Sequence, residues 1–544
     1  GKGVSDITLP THLRTNTKII RTWKLRRRLL MKYRIKDFPE IYRNVGQMNV
    51  EELLRCVICP NMTYDNLPSY SSPTMFLHTT TADRAFASSE RLSRQSSYPL
   101  VLAADLEHGA GEAIDDAVRF PSLRAAAEAG ESSLAYEMGR VAAKEAIDAG
   151  FSWSFGPCVD IMYNKENPIV GLRSAGSDAE TVIQYAGAYM DGMQDNGLIA
   201  TLKHFPGDGY CADDQHVTTT ENLLSREEWD SSYGKVYAEL IQRGAMAVMA
   251  GHIALPVYDE ADPVTGLYPP ATLSENLLTG LLRKKLGFEG IIVSDAVYMT
   301  GFSGYMPIYR ACATFLEAGG DCLLFMHETE EFLMGMKKCV DEKFLSIDVL
   351  RNRAYRMLCF VQEYAESHFG NRQVDFDREK AEKASSCITD KAVKVVRDRT
   401  GILPIKVDEV TSIAHVILFN PWTEVWQTGK ELTDKFRNLA GRVDEFPDPG
   451  PYSLMELAKS GEYDYIICSI FESPSYGYNS AKLCGPAARN MMNGWMRYET
   501  PVVFISYDGV QFSETYKACT DTMINTHGIT NYTIDVVMNR LLGK

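Results

Sequence analysis

The feature that most constrains this chain is a recurrence of short apolar runs. They fall at 74–77, 102–105, 154–160, 199–203, 247–252, 290–295 and 322–325. Between them, apolar residues return at helical spacing over 122–148, 179–196, 225–243 and 274–286. A parallel strand covered on both faces reads as a continuous apolar run, and its return connection is commonly a helix. Seven or eight such units over about 300 residues predict a (β/α)8 barrel. Several runs end in charge: Asp105, Lys203, His252 and Asp295. In such barrels the carboxyl ends of the strands carry the chemistry.

A polar stretch follows, and then a second set of apolar runs at 413–419, 465–470 and 502–506 with helical segments between them. The expected organisation is a basic helical extension over 1–44, a catalytic barrel over 45–365, a linker over 366–390, and a smaller α/β sandwich domain over 391–544. The basic extension, with Arg26-Arg27-Arg28 among leucines, is expected to pack on the body of the protein. Asn49 and Glu52 form the pattern of a helix capping box. At 544 residues and 45% hydrophobic content the chain has enough apolar mass for two cores. Its net charge of -15 argues against nucleic acid as a partner. No apolar run reaches membrane-spanning length, so stable membrane insertion is not expected. The twelve cysteines are scattered without a CxxC pair. They read as core residues in a reducing compartment, which predicts a cytoplasmic location, or a secreted one if a signal peptide preceded Gly1. Neither metal-ligand spacing nor a phosphate-binding glycine fingerprint is evident, so no cofactor or metal is expected.

The densest concentration of chemistry lies at 202–216. The run ending in Leu202 passes into Lys203 and His204. Pro206, Gly207 and Gly209 then prevent simple continuation as strand or helix. A polar loop follows with Asp213, Asp214 and His216. A second signal is the run Gly290-Ile291-Ile292-Val293-Ser294-Asp295, a buried strand that delivers a carboxylate to its end.

These two stretches resemble glycoside hydrolase family 3, in its β-N-acetylglucosaminidase branch. That branch carries Lys-His-Phe-Pro-Gly, a further Gly, four spacers, and Asp-Ser/Thr-His; here the final triplet is Asp214-Gln215-His216. The resemblance implies that Asp295 is the catalytic nucleophile. It implies that His216 is the acid/base, polarised by Asp214. Asp105, Arg173, Lys203 and His204 would bind sugar, His252 would line the floor or stand behind it, and Asp160 would support. Four positions depart from the branch: Asp208 replaces a usual His, Gln215 a Ser or Thr, Ala175 an aromatic, and Ala296 an acidic or aromatic residue.

The implied activity is that of an exo-acting retaining β-N-acetylglucosaminidase working on a small GlcNAc-containing glycoside through a glycosyl-Asp intermediate. Two alternatives stand beside it. One is a phosphorylase of the same glycosides, since an imidazole base admits an anionic acceptor more readily than a carboxylate does. The other is a β-glucosidase or β-xylosidase, whose acid/base is a glutamate. Glu107, or Glu472 from the second domain, would then be the candidate.

Overall fold

The apolar runs fold into parallel strands that close on themselves. In this computed structural model, which describes residues 32–368, 376–423, 425–509 and 511–544, β1 is Ile58–Cys59 continued past Pro60 by Asn61–Met62. It is followed by β2 (Thr74–Leu77), β3 (Val101–Ala104), β4 (Trp153–Ser154), β5 (Thr201–Phe205), β6 (Ala247–Ala250), β7 (Ile291–Ser294) and β8 (Leu323–Leu324). Parallel ladders join β1 to β2, β2 to β3, β3 to β4, β5 to β6 and β6 to β7. Parallel bridges Trp153–Ile199 and Cys158–Lys203 join β4 to β5, and Val293–Cys322 joins β7 to β8. Ile58 opposite Leu323 closes the ring. The result is an eight-stranded (β/α)8 barrel. β1 escaped the sequence pattern because Pro60, which has no N–H to donate, splits it into two short pieces.

Helices cover the outside of the barrel. Ala82–Gln95 lies between β2 and β3, Ser132–Asp148 between β3 and β4, and Ala179–Asp195 between β4 and β5. The connection from β1 to β2 instead holds only the single turn Tyr64–Asn66. The capping box read from Asn49 and Glu52 forms, at 3.0 and 2.8 Å, and starts the helix Val50–Cys56. Ser132–Asp148 and Ala179–Asp195 cross backbone to backbone. A Cβ at Gly139 would lie 2.2 Å from the Tyr189 carbonyl oxygen, and one at Gly192 would lie 2.1 Å from that of Tyr136. Only glycine permits that approach, and it packs the two helices directly against each other.

The second domain is a six-stranded sheet. Its strands are β9 (Lys394–Asp398), β10 (Ser412–Phe419), β11 (Arg442–Pro447), β12 (Tyr465–Phe471), β13 (Val502–Ser506) and β14 (Thr522–Asn525). Their spatial order is β9-β14-β13-β12-β10-β11, parallel throughout except for β9 against β14. Alternation along the strands feeds two cores. Ile413, Ile417 and Ile467 point to one, while Ala414, Val416 and Cys468 point to the other, as a sheet covered on both faces requires.

Of the segment read as a linker, Arg378–Ala392 is a helix with Ala381, Ser385 and Ile388 buried. Ser385 Oγ donates to the Arg119 carbonyl at 2.6 Å. Ser122 Oγ donates to the His527 carbonyl at 2.6 Å, which fastens the two domains directly. The basic stretch with Arg26-Arg27-Arg28 lies outside the described residues; from the expected extension, Pro39–Gln47 forms a helix. Among the described residues, no helix is long and apolar enough to cross a membrane. All twelve cysteines are free thiols.

Candidate active site

The site begins at the carboxyl end of β7. Backbone pairing continues one residue past the strand, with Asp295 N–H donating to the Ala250 carbonyl at 2.8 Å. This fixes the Asp295 side chain at the barrel rim. Oδ1 accepts the Ala296 N–H at 2.7 Å, and Oδ2 lies 3.9 Å from His204 Nε2. Burial alone would raise its pKa, but the histidines around it, His204 foremost, outweigh that and hold it below the ordinary carboxylate value. A carboxylate that stays ionised on the rim is suited to attack an electrophilic carbon.

β5 delivers Lys203 and His204 to the same rim. His204 Nδ1 donates to Asp160 Oδ2 at 2.7 Å, and its backbone N–H donates to Asp160 Oδ1 at 3.1 Å. The other ring nitrogen therefore faces the site, 3.4 Å from Arg173 Nη2. Lys203 Nζ reaches Asp105 at 3.1 Å and Glu107 at 2.6 Å. Arg173 grips Glu107 through two bonds, at 2.9 and 2.8 Å.

Glu107 is the hub that sequence reasoning missed, having named it only as a substitute acid. It stands two residues past Asp105, and that spacing was the available signal. Burial would push its carboxyl up, but Arg173 and Lys203 hold it well below the usual range. Glu107 is thus a fixed anion and a poor proton donor. Burial would likewise strip the Lys203 proton, but Asp105 and Glu107 reverse the effect and raise its pKa. Lys203, Arg173 and Asp105 thereby present charged hydrogen-bonding groups in fixed positions, as recognition of hydroxyls requires.

The loop bearing Asp214 and His216 forms a separate hydrogen-bonded pair. His216 Nδ1 donates to Asp214 Oδ1 at 2.6 Å, and the same oxygen accepts the His216 backbone N–H at 2.8 Å. Nε2 is left to carry a proton outward. Asp214 Oδ2 accepts the N–H of Gly477, from the C-terminal domain, at 2.8 Å. Burial opposes ionisation of Asp214, yet these hydrogen bonds lower its pKa. Asp213 is exposed and turns to Cys211, apart from the dyad.

The two unusual loop residues meet. Gln215 Nε2 donates to Asp208 Oδ2 at 3.3 Å, and Gln215 Oε1 accepts the His252 N–H at 2.8 Å. Asp208 is buried, and Asn167 and Gly209 donate to its other oxygen at 2.8 and 2.6 Å. Burial, with Asp160 close by, pushes its pKa up to about 6.

His252 is fully buried. Nε2–H donates to the Ala296 carbonyl at 3.0 Å, and Nδ1 accepts from the Thr272 hydroxyl at 3.1 Å. Burial lowers its pKa to about 4, so the ring is neutral. With both nitrogens engaged, it braces the backbone beside Asp295 from behind. Glu472 faces away: Oε1 accepts the N–H groups of Gln511 and Phe512, at 3.0 and 2.7 Å, inside its own domain. Cys158, Asp160 and His204 offer donor atoms within 4.8 Å of one another. Asp160 Oδ2 already accepts from both partners, at 3.3 and 2.7 Å, so hydrogen bonds close this cluster.

A parallel barrel whose rim gathers an ionised carboxylate, a His–Asp dyad and a charged cradle defines a glycoside hydrolase. The sequence comparisons agree. The profile of the Glycosyl hydrolase family 3 N terminal domain matches residues 71–359. A β-N-acetylglucosaminidase/β-glucosidase of Cellulomonas fimi is 31% identical over 431 residues, covering 74% of this chain and 73% of that protein. A β-hexosaminidase of Methylobacillus flagellatus is 29% identical over 249 residues, covering 44% of this chain and 69% of its own. The chain belongs to glycosyl hydrolase family 3. Among solved structures, a β-glucoside phosphorylase, BglX, superposes with a TM-score of 0.84 at 26% identity, covering 95% of this chain and 96% of that one. A β-N-acetylglucosaminidase from a Paenibacillus strain shares the fold, with a TM-score of 0.76 at 22% identity over 91% of this chain and 97% of its own.

Proposed function

We propose that this enzyme is an exo-acting retaining β-N-acetylglucosaminidase. The observation that carries the reading is the 2.6 Å His216–Asp214 dyad, on the rim that also holds Asp295 as a carboxylate kept ionised by His204 first and by His216 among its neighbours. In the first step Asp295 attacks the anomeric carbon, and the bond to the leaving oxygen breaks. His216 Nε2 gives that oxygen its proton, while Asp214 holds Nδ1 and orients the ring. A glycosyl ester on Asp295 results. In the second step His216, now neutral, takes a proton from water as the water attacks the anomeric carbon, and Asp295 departs as a carboxylate. Asp105, Lys203, Arg173 and His204 hold the sugar, with Glu107 fixing the two cations.

A second reading keeps every residue role and replaces water with phosphate, which needs no deprotonation. It is favoured by the imidazole acid/base, since Glu472 is engaged elsewhere. The likeness to a β-glucoside phosphorylase over 95% of the chain also supports it.

A 2-deoxy-2-fluoro glycosyl donor with an activated leaving group should add one sugar mass to Asp295, located by peptide mass spectrometry. Incubating the trapped enzyme in buffer with and without phosphate should release free sugar or a sugar 1-phosphate, and the product decides between the readings. Full turnover by Asp295→Ala would overturn both.

A further inference from the structure

A short segment of the C-terminal domain ends inside the acid loop of the barrel. It leaves β12 after Phe471, passes Ser473 to Ser475, and presents Tyr476 and Gly477. Its course is fixed from its own domain. Trp422 Nε1 donates to the Ser473 carbonyl at 2.9 Å, and the Trp422 ring stacks on Tyr478 at 4.2 Å and 20°. Gly477, at a φ of +77°, turns its N–H onto Asp214 Oδ2 at 2.8 Å. The Tyr476 ring lies 4.6 Å from the His216 ring, tilted by 35°. Although it touches the dyad, Tyr476 remains 66% exposed.

Beside it, between the domains, is a cavity of about 360 Å³ lined by Tyr476, Pro474, Leu172, Ile169 and Arg173. Arg173 is the side chain that also borders His204. Arg173, from the charged cradle, and Tyr476, from the ring contact with His216, are thus both walls of this cavity.

We propose that Tyr476 is the platform for the leaving group, and that with Gly477 it positions the Asp214–His216 dyad. The inference rests on His216 being the acid/base. A proton donor must face the glycosidic oxygen, and what lies beyond that oxygen is the leaving group. An exposed aromatic face beside the donor, forming one wall of a cavity lined largely by apolar side chains, suits a leaving group with an apolar face, such as a second pyranose or an aryl group. Gly477 holds the outer oxygen of Asp214, so the inner oxygen stays directed at Nδ1 and Nε2 stays directed outward. The second domain is thereby part of the catalytic site, although it supplies no acid.

The test compares Tyr476→Ala and Tyr476→Phe on two substrates with the same sugar, a β-linked disaccharide and the β-glycosyl fluoride. The fluoride has neither a leaving sugar to stack nor an oxygen to protonate. The quantity read is the ratio of kcat/KM on disaccharide to that on fluoride, which is unaffected by the fraction of enzyme folded. Tyr476→Ala should lower this ratio about tenfold, and Tyr476→Phe should restore most of it. A ratio unchanged in Tyr476→Ala, whether both rates fall or neither does, overturns the proposal. His216→Ala in the same assay separates the two levels of the argument. If it leaves the ratio unchanged, the acid/base reading fails, and the positioning role of Tyr476 fails with it.

Discussion

Glu107→Gln tests the cradle most directly. Glu107, Arg173 and Lys203 have side chains only 7%, 17% and 5% exposed. Glu107 makes two bonds to Arg173 and one to Lys203, all between 2.6 and 2.9 Å. Glutamine keeps the shape but has one acceptor oxygen and no charge. Removing one partner of a buried ion pair costs about 3–5 kcal/mol, because the other charge stays buried without compensation. Lys203 retains Asp105, so the lower end, about 3 kcal/mol, is expected. Urea unfolding at pH 7 should register that loss. Arg173 and Lys203 would no longer be held in register for sugar hydroxyls, so KM should rise more than kcat falls. The pH dependence has a definite sign. The folded pKa of Glu107 is depressed, so its stabilisation is complete above the ordinary carboxylate range and is lost only as pH falls through the folded value. The gap between variant and wild type should therefore be constant from pH 6 upward and close only in strong acid. Equal stability at pH 7 with an unchanged KM would refute the reasoning. It would mean that the attraction merely cancels the desolvation of the three groups.

His216→Ala should lose on the order of 10²–10⁴ in rate on sugar-leaving substrates and far less on dinitrophenyl glycosides, with azide accelerating the slow second step; equal losses on both would remove His216 from the acid/base role. Glu472→Gln should show the opposite pH signature to Glu107→Gln. Burial raises the Glu472 pKa to about 8, so wild type should lose stability as pH rises from the ordinary carboxylate range to that value. The glutamine variant, still able to accept from Gln511 and Phe512, should gain relative stability over that window, by at most about 5 kcal/mol. Thermal midpoints at pH 5 and pH 8.5 would check this, and a pH-independent difference would count against it.

Most barrel strands were legible because a strand buried on both faces can hold little but apolar residues, and its charged last residue marks the rim. Asp105, Lys203 and Asp295 were found that way. β1 was not, since Pro60 broke the only local signal it had. The site was legible where its partners are close in sequence, as with Asp214 and His216. Glu107 and Arg173 are 66 residues apart, and Gly477 and Asp214 are 263 apart. Such pairs leave no mark on periodicity or composition, because the folded chain alone brings them together. His252 stands at a strand end like the others, but Thr272 and the Ala296 carbonyl engage its ring, and neither partner is implied by its neighbours in sequence.

The contact between Gln215 and Asp208 has a consequence for how this loop can vary or be transplanted. The amide is read in both directions, giving a proton to Asp208 and receiving one from the His252 backbone. A hydroxyl at 215 is too short to span that gap, and an imidazole at 208 would present a different donor pattern to Asn167 and Gly209. Asp208→His or Gln215→Ser alone would strand a buried polar atom beside the acid loop, whereas the two changes made together could settle into the arrangement usual in the branch. The two positions thus have to be exchanged as a pair. A graft that moved the dyad of a relative into this barrel, while leaving Asp208 behind, would import half of a lock.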